Sequence, residues 1–305
     1  MRVLIFGGAG YVGYELTRQC IKNHCEVAIY DSFSNGDIRA RAKIAELSGV
    51  KVYENTIADA AGVAAAISEF RPDVVYNLAA LHYIPYCIEH PEEVFATNYL
   101  GLQNIITVIR DHPNAKFVFA SSASVYGSPK EKCTLDTPTV PNDIYGASKL
   151  AGEQLIQHQL KNYVIMRLFN VYGDLDPHPH LIPKVSRAAV NNEILELGTA
   201  SAKRDFVYVR DVANAFFIAH ASPKAQTYIV ATGELHSVSE VVSHIYAKAK
   251  SQGKVCYETQ TNMRAKDASL LSGDASKLRS LGWAPTVSFD EGIATTIDAA
   301  RKQIS

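Results

Sequence analysis

The sequence predicts a doubly wound α/β fold, a parallel sheet covered by helices on both faces, with a smaller mixed α/β lobe beside it. Three observations lead there. Short β-branched runs alternate with helical patterns through the first half of the 305 residues. Those runs are continuously apolar, as strands buried on both faces are. Past residue 170 the rhythm breaks into prolines and shorter mixed elements.

In chain order, RVLIF (2–6), EVAIY (26–30), KVY (51–53), DVVYNL (73–78), KFVFAS (116–121) and VIMRL (164–168) read as strands. Helices are expected between them at about 12–24, 37–47, 60–69, 91–111 and 145–161. Pro177, Pro179 and Pro183 then interrupt a loop, with a helix behind it at about 183–191. RDFVYV (204–209) and TYIVA (227–231) read as strands around a helix at about 211–221. Residues 237–250 read as a helix and 254–257 as extended, with closing helices at 274–281 and 288–302. The expected division is a dinucleotide-binding domain over 1–170, with 205–232 returning to it. A substrate-binding lobe is expected from 171–204 and 233–305.

Composition narrows the function. Apolar residues at 47% and charged residues at 20% suit a soluble enzyme. A net charge of −1, with no basic run, argues against a nucleic-acid partner. No apolar stretch reaches membrane-spanning length, and MRVLIFGGAG lacks the basic start and cleavage site of a secretory leader. The five cysteines form no C-x-x-C pair and no metal-ligand spacing, which suits a reducing, cytoplasmic setting.

Strand VLIF runs into GGAGYVG and then a helix. Gly7 permits the tight turn, Gly10 lets backbone approach a pyrophosphate, and Gly13 lets the helix pack closely on the strand. The phosphates would face the unpaired N–H groups and positive dipole of the helix start. An acid ends the second strand: Asp31, placed to accept both ribose hydroxyls and to repel a 2′-phosphate. No arginine occurs in the Ser32-Phe33-Ser34-Asn35-Gly36 run that follows. The pattern predicts a Rossmann-type sheet binding NAD rather than NADP. The expected contacts are Gly7, Gly10, Tyr11, Val12, Gly13, Asp31, Ser32, Asn35 and Gly36. Asp59, after the third strand, is placed to meet the adenine amino group; its plain alternative is a helix N-cap. Leu78, Ala79 and Ala80 end the fourth strand with small residues that suit backbone close to the cofactor.

Strand KFVFASS ends in a serine-rich turn, and Tyr145-Gly-Ala-Ser-Lys149 opens a helix downstream. The i, i+4 spacing puts Tyr145 and Lys149 on one face. A phenol titrates near pH 10, so a phenolate base at neutral pH needs its pKa lowered by about 3, or ~4 kcal/mol. An ammonium one turn away, a positive nicotinamide and a helix N-terminus all push that way. A serine hydroxyl at the neighbouring strand end would align the same substrate oxygen.

With GGAGYVG, Asp31, Asp59, NLAA, SSASVYG, YGASK, LFNVYG, RDFVYVRDVA and LGWAP in place, the chain resembles the extended short-chain dehydrogenase/reductases of the NAD-dependent epimerase/dehydratase family, which act on nucleotide sugars. The resemblance implies Tyr145 as acid/base, Lys149 on the nicotinamide ribose and Ser122 as the catalytic serine. Ser124 would be a second pocket hydroxyl, and Ser121 would support the strand end. It puts Asn98 and Phe169 near the cofactor. It implies Asn170, Arg204 and Arg264 on the substrate diphosphate, and Asp267 on the nucleotide ribose. It further implies a homodimer through the helices near 91–111 and 145–161. His82 stands where UDP-galactose epimerases often carry lysine, and 82–91 is aromatic enough to line a sugar pocket or to be ordinary core and turn. His178 and His180, separated by a proline and lacking a third ligand nearby, read as loop rather than metal site.

Dehydratases of this family carry Asp-Glu directly after the catalytic Thr, and decarboxylases resemble Thr-Ser-Glu. Here those positions are Ala123 and Ser124, which cannot do carboxyl chemistry. The reading is therefore an NAD-dependent C4 epimerase of a nucleotide-diphospho-sugar, acting through a transient 4-keto sugar. A 4,6-dehydratase or 4-keto-sugar reductase is the alternative, and a non-catalytic dinucleotide sensor a remote one. The sugar and the nucleobase stay open at this point.

Overall fold

The protein was described from a computed structural model, over residues 1–34, 40–257 and 269–302. Six strands of the first half form one parallel sheet: β1 (Arg2–Phe6), β2 (Glu26–Asp31), β3 (Lys51–Glu54), β4 (Val74–Asn77), β5 (Lys116–Ser122) and β6 (Tyr163–Leu168). Their order is β3-β2-β1-β4-β5-β6. The direction of winding reverses between β1 and β4, which opens a ligand crevice at the strands' carboxyl ends. Alternate side chains feed opposite faces. Val3, Ile5, Val27 and Ile29 join one core, and Leu4, Phe6, Ala28 and Tyr30 the other. Both faces are buried, which is why these strands read as unbroken apolar runs.

The helices of this half are α1 (Tyr11–Lys22), α2 (Ala40–Ala45), α3 (Ala60–Phe70), α4 (Ile84–Glu89), α5 (Pro91–Phe95), α6 (Leu102–Ile109) and α7 (Ile144–Gln159). The first part of the helix expected at 37–47 lies outside the described residues. The single helix expected over 91–111 is instead interrupted by a π-helical turn, Ala96–Gly101. Such turns shift the side-chain register and mark functional positions. The segment 82–91 holds α4, with Pro85 in its first turn, where a missing N–H costs nothing.

The second half supplies β7 (Asn170–Tyr172), α8 (Leu181–Asn191), β8 (Ile194–Leu197), β9 (Lys203–Tyr208), α9 (Val209–Ala219), β10 (Gln226–Val230), β11 (Leu235–Ser237), α10 (Val238–Ala249), β12 (Lys254–Tyr257), β13 (Leu270–Leu271), α11 (Ser276–Arg279) and α12 (Phe289–Lys302). β10 adds to β6 as the seventh parallel strand, and α9 packs on α1. The span 205–232 does not return whole. β9 pairs with β7, β11 and β13 in a smaller sheet. Its alternation explains this: Phe206 and Tyr208 point into the lobe's core, and Val207 into the main one.

Two buried aspartates fasten the layers. Asp205 accepts from Thr232 N (2.8 Å), Thr232 Oγ1 (2.7 Å) and Gly233 N (2.8 Å), tying β9 to the exit of β10. Asp211 in α9 accepts from Thr286 N, Thr286 Oγ1 and Val287 N, while Trp283 Nε1 donates to its carbonyl. Among the described residues no helix is long and apolar enough to cross a membrane.

Candidate active site

The carboxyl ends of β1, β2, β4, β5 and β6 open on one cavity of about 610 Å³. At its cofactor end Gly7 has φ +78°, and a Cβ there would stand 2.7 Å from Ala79 N. A Cβ on Gly13 would stand 2.0 Å from Gly7 O, so no side chain fits the turn. Gly10 meets only Gly7 O and faces the cavity as N-cap of α1, with no side chain capping the helix. Unpaired N–H groups at a helix start, against bare backbone, fit a pyrophosphate. Asp31 accepts from Ala9 N (2.9 Å) and Phe33 N (2.8 Å), with the Gly10 amide acting on it as well. Lone pairs remain for ribose hydroxyls. Burial raises its carboxyl pKa against the pull of these amides. These residues fit NAD. Tyr11, Val12, Ser32, Leu78, Ala79 and Ala80 line the same wall. Asn35 and Gly36 lie outside the described residues.

Two expected cofactor contacts stand off the cavity wall. Asp59 is the N-cap of α3 and accepts from Ala61 N (3.1 Å) and Asn55 Nδ2 (2.7 Å). It does not line the cavity; Asn55, Thr56 and Ile57 do. The local cap satisfies the helix start. Asn98, in the π-helical turn, is buried and also off the cavity wall. Its amide exchanges two hydrogen bonds with Leu81 and donates to Ser148 Oγ (3.0 Å), whose hydroxyl donates to Tyr145 O (2.8 Å). Asn98 therefore braces the catalytic helix.

At the chemical end, α7 starts at an Asp143 cap that accepts from Gly146 N (2.7 Å), and Tyr145 lies in its first turn. Ser122 ends β5, lies close enough for its hydroxyl to act on the Tyr145 phenol, and accepts from Ser124 N (3.1 Å). Lys149 Nζ donates to Ala120 O (2.8 Å) and sits 5.7 Å from the Tyr145 ring. Burial lowers the Lys149 ammonium to about pKa 7. Burial also raises Tyr145 above its ordinary value, and the Ser122 hydroxyl only partly opposes this. Of the three groups expected to lower the phenol together, Lys149 is itself half-neutralised by burial at pH 7 and supplies only part of the charge. The added positive charge has to arrive with NAD.

Behind this site lies a network the sequence reading missed. Glu153 and Arg167 form a buried, bidentate ion pair at 2.9 and 2.7 Å. Ser121 Oγ donates to Glu153 (2.5 Å), and Arg167 Nη1 donates to Tyr126 OH (3.0 Å). One pair so ties β5, the turn after it, α7 and β6, a residue or a helical turn behind each chemical group. The available signal was the spacing Lys149-x-x-x-Glu153, one turn further on the same helix face.

Toward the substrate, Phe169, Asn170, Ser124, His82 and Arg204 line the cavity. Asn170 Oδ1 is buried and has no hydrogen-bond partner among the described residues, as expected of a group that meets a ligand. Arg264 and Asp267 lie outside the described residues. His178 and His180, read as loop, meet His82, with ring centroids 4.8 and 5.9 Å from it.

Fold and site together define a class: NAD-dependent enzymes that oxidise and reduce a carbinol through a tyrosine, the extended short-chain dehydrogenase/reductases. Within it the chain belongs to the family described as GDP-mannose 4,6 dehydratase, which matches residues 4–296. It is 28% identical to UDP-glucose 4-epimerase of Lactobacillus helveticus, over 97% of this chain and 96% of that one. It is 29% identical to a dTDP-glucose 4,6-dehydratase of Xanthomonas campestris, over 97% and 92%. The crystal structure of Thermus thermophilus UDP-glucose 4-epimerase with NAD superposes with a TM-score of 0.89 at 32% identity, covering 99% of each chain.

Proposed function

We propose that the protein interconverts C4 epimers of a nucleotide-diphospho-sugar. NAD, held by the glycine turn and Asp31, supplies acceptor and donor of the C4 hydride. Tyr145 takes the proton of the C4 hydroxyl and later returns it, while Ser122 donates a hydrogen bond to the same oxygen and keeps it aligned. Lys149 donates one N–H to the Ala120 carbonyl and keeps the others for the nicotinamide ribose beside Tyr145. Asn170 and Arg204 hold the diphosphate as a pivot, so that the 4-keto sugar can present its other face.

One observation carries this reading over a dehydratase. Ala123 and Ser124 occupy the positions of the dehydratase acids, and Asp31, at the cofactor end, is the one carboxylate lining the cavity among the described residues. Elimination of water needs an acid/base near C5 and C6, and none is supplied there. The dehydratase relative supports the second reading. Incubating the NAD-loaded enzyme with UDP-, GDP-, CDP- and dTDP-sugars, followed by proton NMR, separates them. A C4 epimer with no change in mass is expected; a 4-keto-6-deoxy product would sink the epimerase reading. Net consumption of NADH with a 4-keto sugar would establish a reductase.

We further propose a cytoplasmic homodimer. Exposed Phe95, with Tyr99 and Leu155, edges a shallow groove between the π-helical turn and α7, and exposed Leu100 lies in the same turn.

A further inference from the structure

The loop ahead of α8 and the segment after β4 bring three histidines together from positions nearly a hundred residues apart. Besides the His82 contacts given above, His178 and His180 are 5.8 Å apart, and Tyr83 stacks on His178 at 4.9 Å. Behind them the buried Asp176 carboxylate accepts from His178 N (3.0 Å) and lies 2.7 Å from His180 Nδ1. His82 and His180 line the cavity. Leu81, the chain neighbour of His82, belongs to a small buried cluster against which Tyr145 packs, and the charge of Lys149 acts on His82. His82 and His180 thus share one cavity with Tyr145 and Lys149. Among the described residues no group of three or more His, Cys, Asp or Glu is disposed to hold a metal ion.

The ionisable groups acting on the cluster are Asp176 and Lys149, with the phenols of Tyr83 and Tyr145 adjoining it. Burial, then the neighbouring imidazoles, push His82 down to about 4; His178 is lowered for the same reasons, and Asp176 opposes this in both. At neutral pH these two rings are uncharged. Rings this close repel once more than one is charged, so the wall has room for a single proton. The Asp176 carboxylate favours that proton from behind. With Nδ1 of His180 engaged by Asp176, Nε2 is the nitrogen left for a ligand.

We propose that this wall recognises a sugar carrying a carboxylate, a nucleotide-linked hexuronate, and that one imidazole captures a proton together with that carboxylate. The inference rests on the nucleotide-sugar reading above. A neutral hexose brings no charge to hold the proton and gains nothing from the wall.

The test is titration calorimetry of the NAD-loaded protein at pH 7 in two buffers of different ionisation enthalpy, with UDP-glucuronate, UDP-glucose and UDP. Uptake of close to one proton is expected with UDP-glucuronate alone. Its affinity should then weaken up to tenfold per pH unit above neutrality. His180→Gln and His82→Asn should abolish the uptake and weaken UDP-glucuronate at least tenfold, with UDP affinity unchanged as the control for folding. Equal uptake with UDP would assign the proton to the diphosphate and overturn the proposal. So would no uptake, or preference for UDP-glucose, and tight UDP binding in that case leaves the nucleotide-sugar reading standing. Failure of all three ligands to bind would overturn that reading and this one with it.

Discussion

Tyr145, Lys149 and Ser122 show how burial and charge compete within a few ångströms. Tyr145→Phe removes the phenol that moves the hydroxyl proton in the proposed mechanism. Turnover should fall by about 10²–10⁴ while NAD binding, read by calorimetry, stays at the wild-type value. Lys149 makes a prediction of opposite sign for stability. In the unfolded chain its amine keeps a proton up to about 10.5, but in the folded cofactor-free protein only to about 7. Between these values the unfolded state binds more protons, so stability rises with pH through that window. The penalty is complete below pH 7 and absent above 10.5. Lys149→Met should therefore stabilise the cofactor-free protein at pH 7, on the order of 2 kcal/mol, with the gain fading toward pH 10.5. Thermal melts across that range check it, and turnover should be lost in the same variant.

The elements around the site are cross-linked by polar groups that no apolar core could replace. Breaking one partner of the Glu153–Arg167 pair leaves a buried charge unmatched. Glu153→Gln should cost about 3–5 kcal/mol in urea unfolding and displace Ser121 and Tyr126 together. Asp205→Ala should cost about 2–3 kcal/mol, because three donors at 232–233 lose their acceptor, and limited proteolysis should then open the chain after β10. How much of this could be read beforehand divides by distance along the chain. The strands β1 to β6, the glycine turn, Asp31 and the Tyr145/Lys149 pair were legible, because each is a local pattern of periodicity or spacing. Asp59 and Asn98 were placed by analogy of position, whereas a local cap and a π-helical turn decide where they point. The His82–His178 contact and the two-residue β13 depend on partners far off in sequence, and nothing local announces them, while the Glu153–Arg167 pair had only the Lys149-x-x-x-Glu153 spacing as its local signal. β9 was legible as a strand but not by its sheet, since its two faces serve different cores.

At the scale of the whole molecule, the groove beside Phe95 predicts assembly. Phe95→Glu with Leu155→Lys should convert a dimer to monomers in sedimentation velocity, with the isolated subunit retaining NAD. Dissociation without loss of the fold would separate the groove's role in assembly from any role in the core. The seventh strand has a consequence in time rather than in space. β6 borders the sheet until β10 is made, and residues 169–225 lie between them. A ribosome adds those in roughly 3–11 s. Through that interval the nascent sheet carries an open, apolar parallel edge, the kind that recruits a wrong strand. Slowing translation across 169–225 should thus lower soluble yield, and faster decoding there should raise it, with the finished enzyme unchanged.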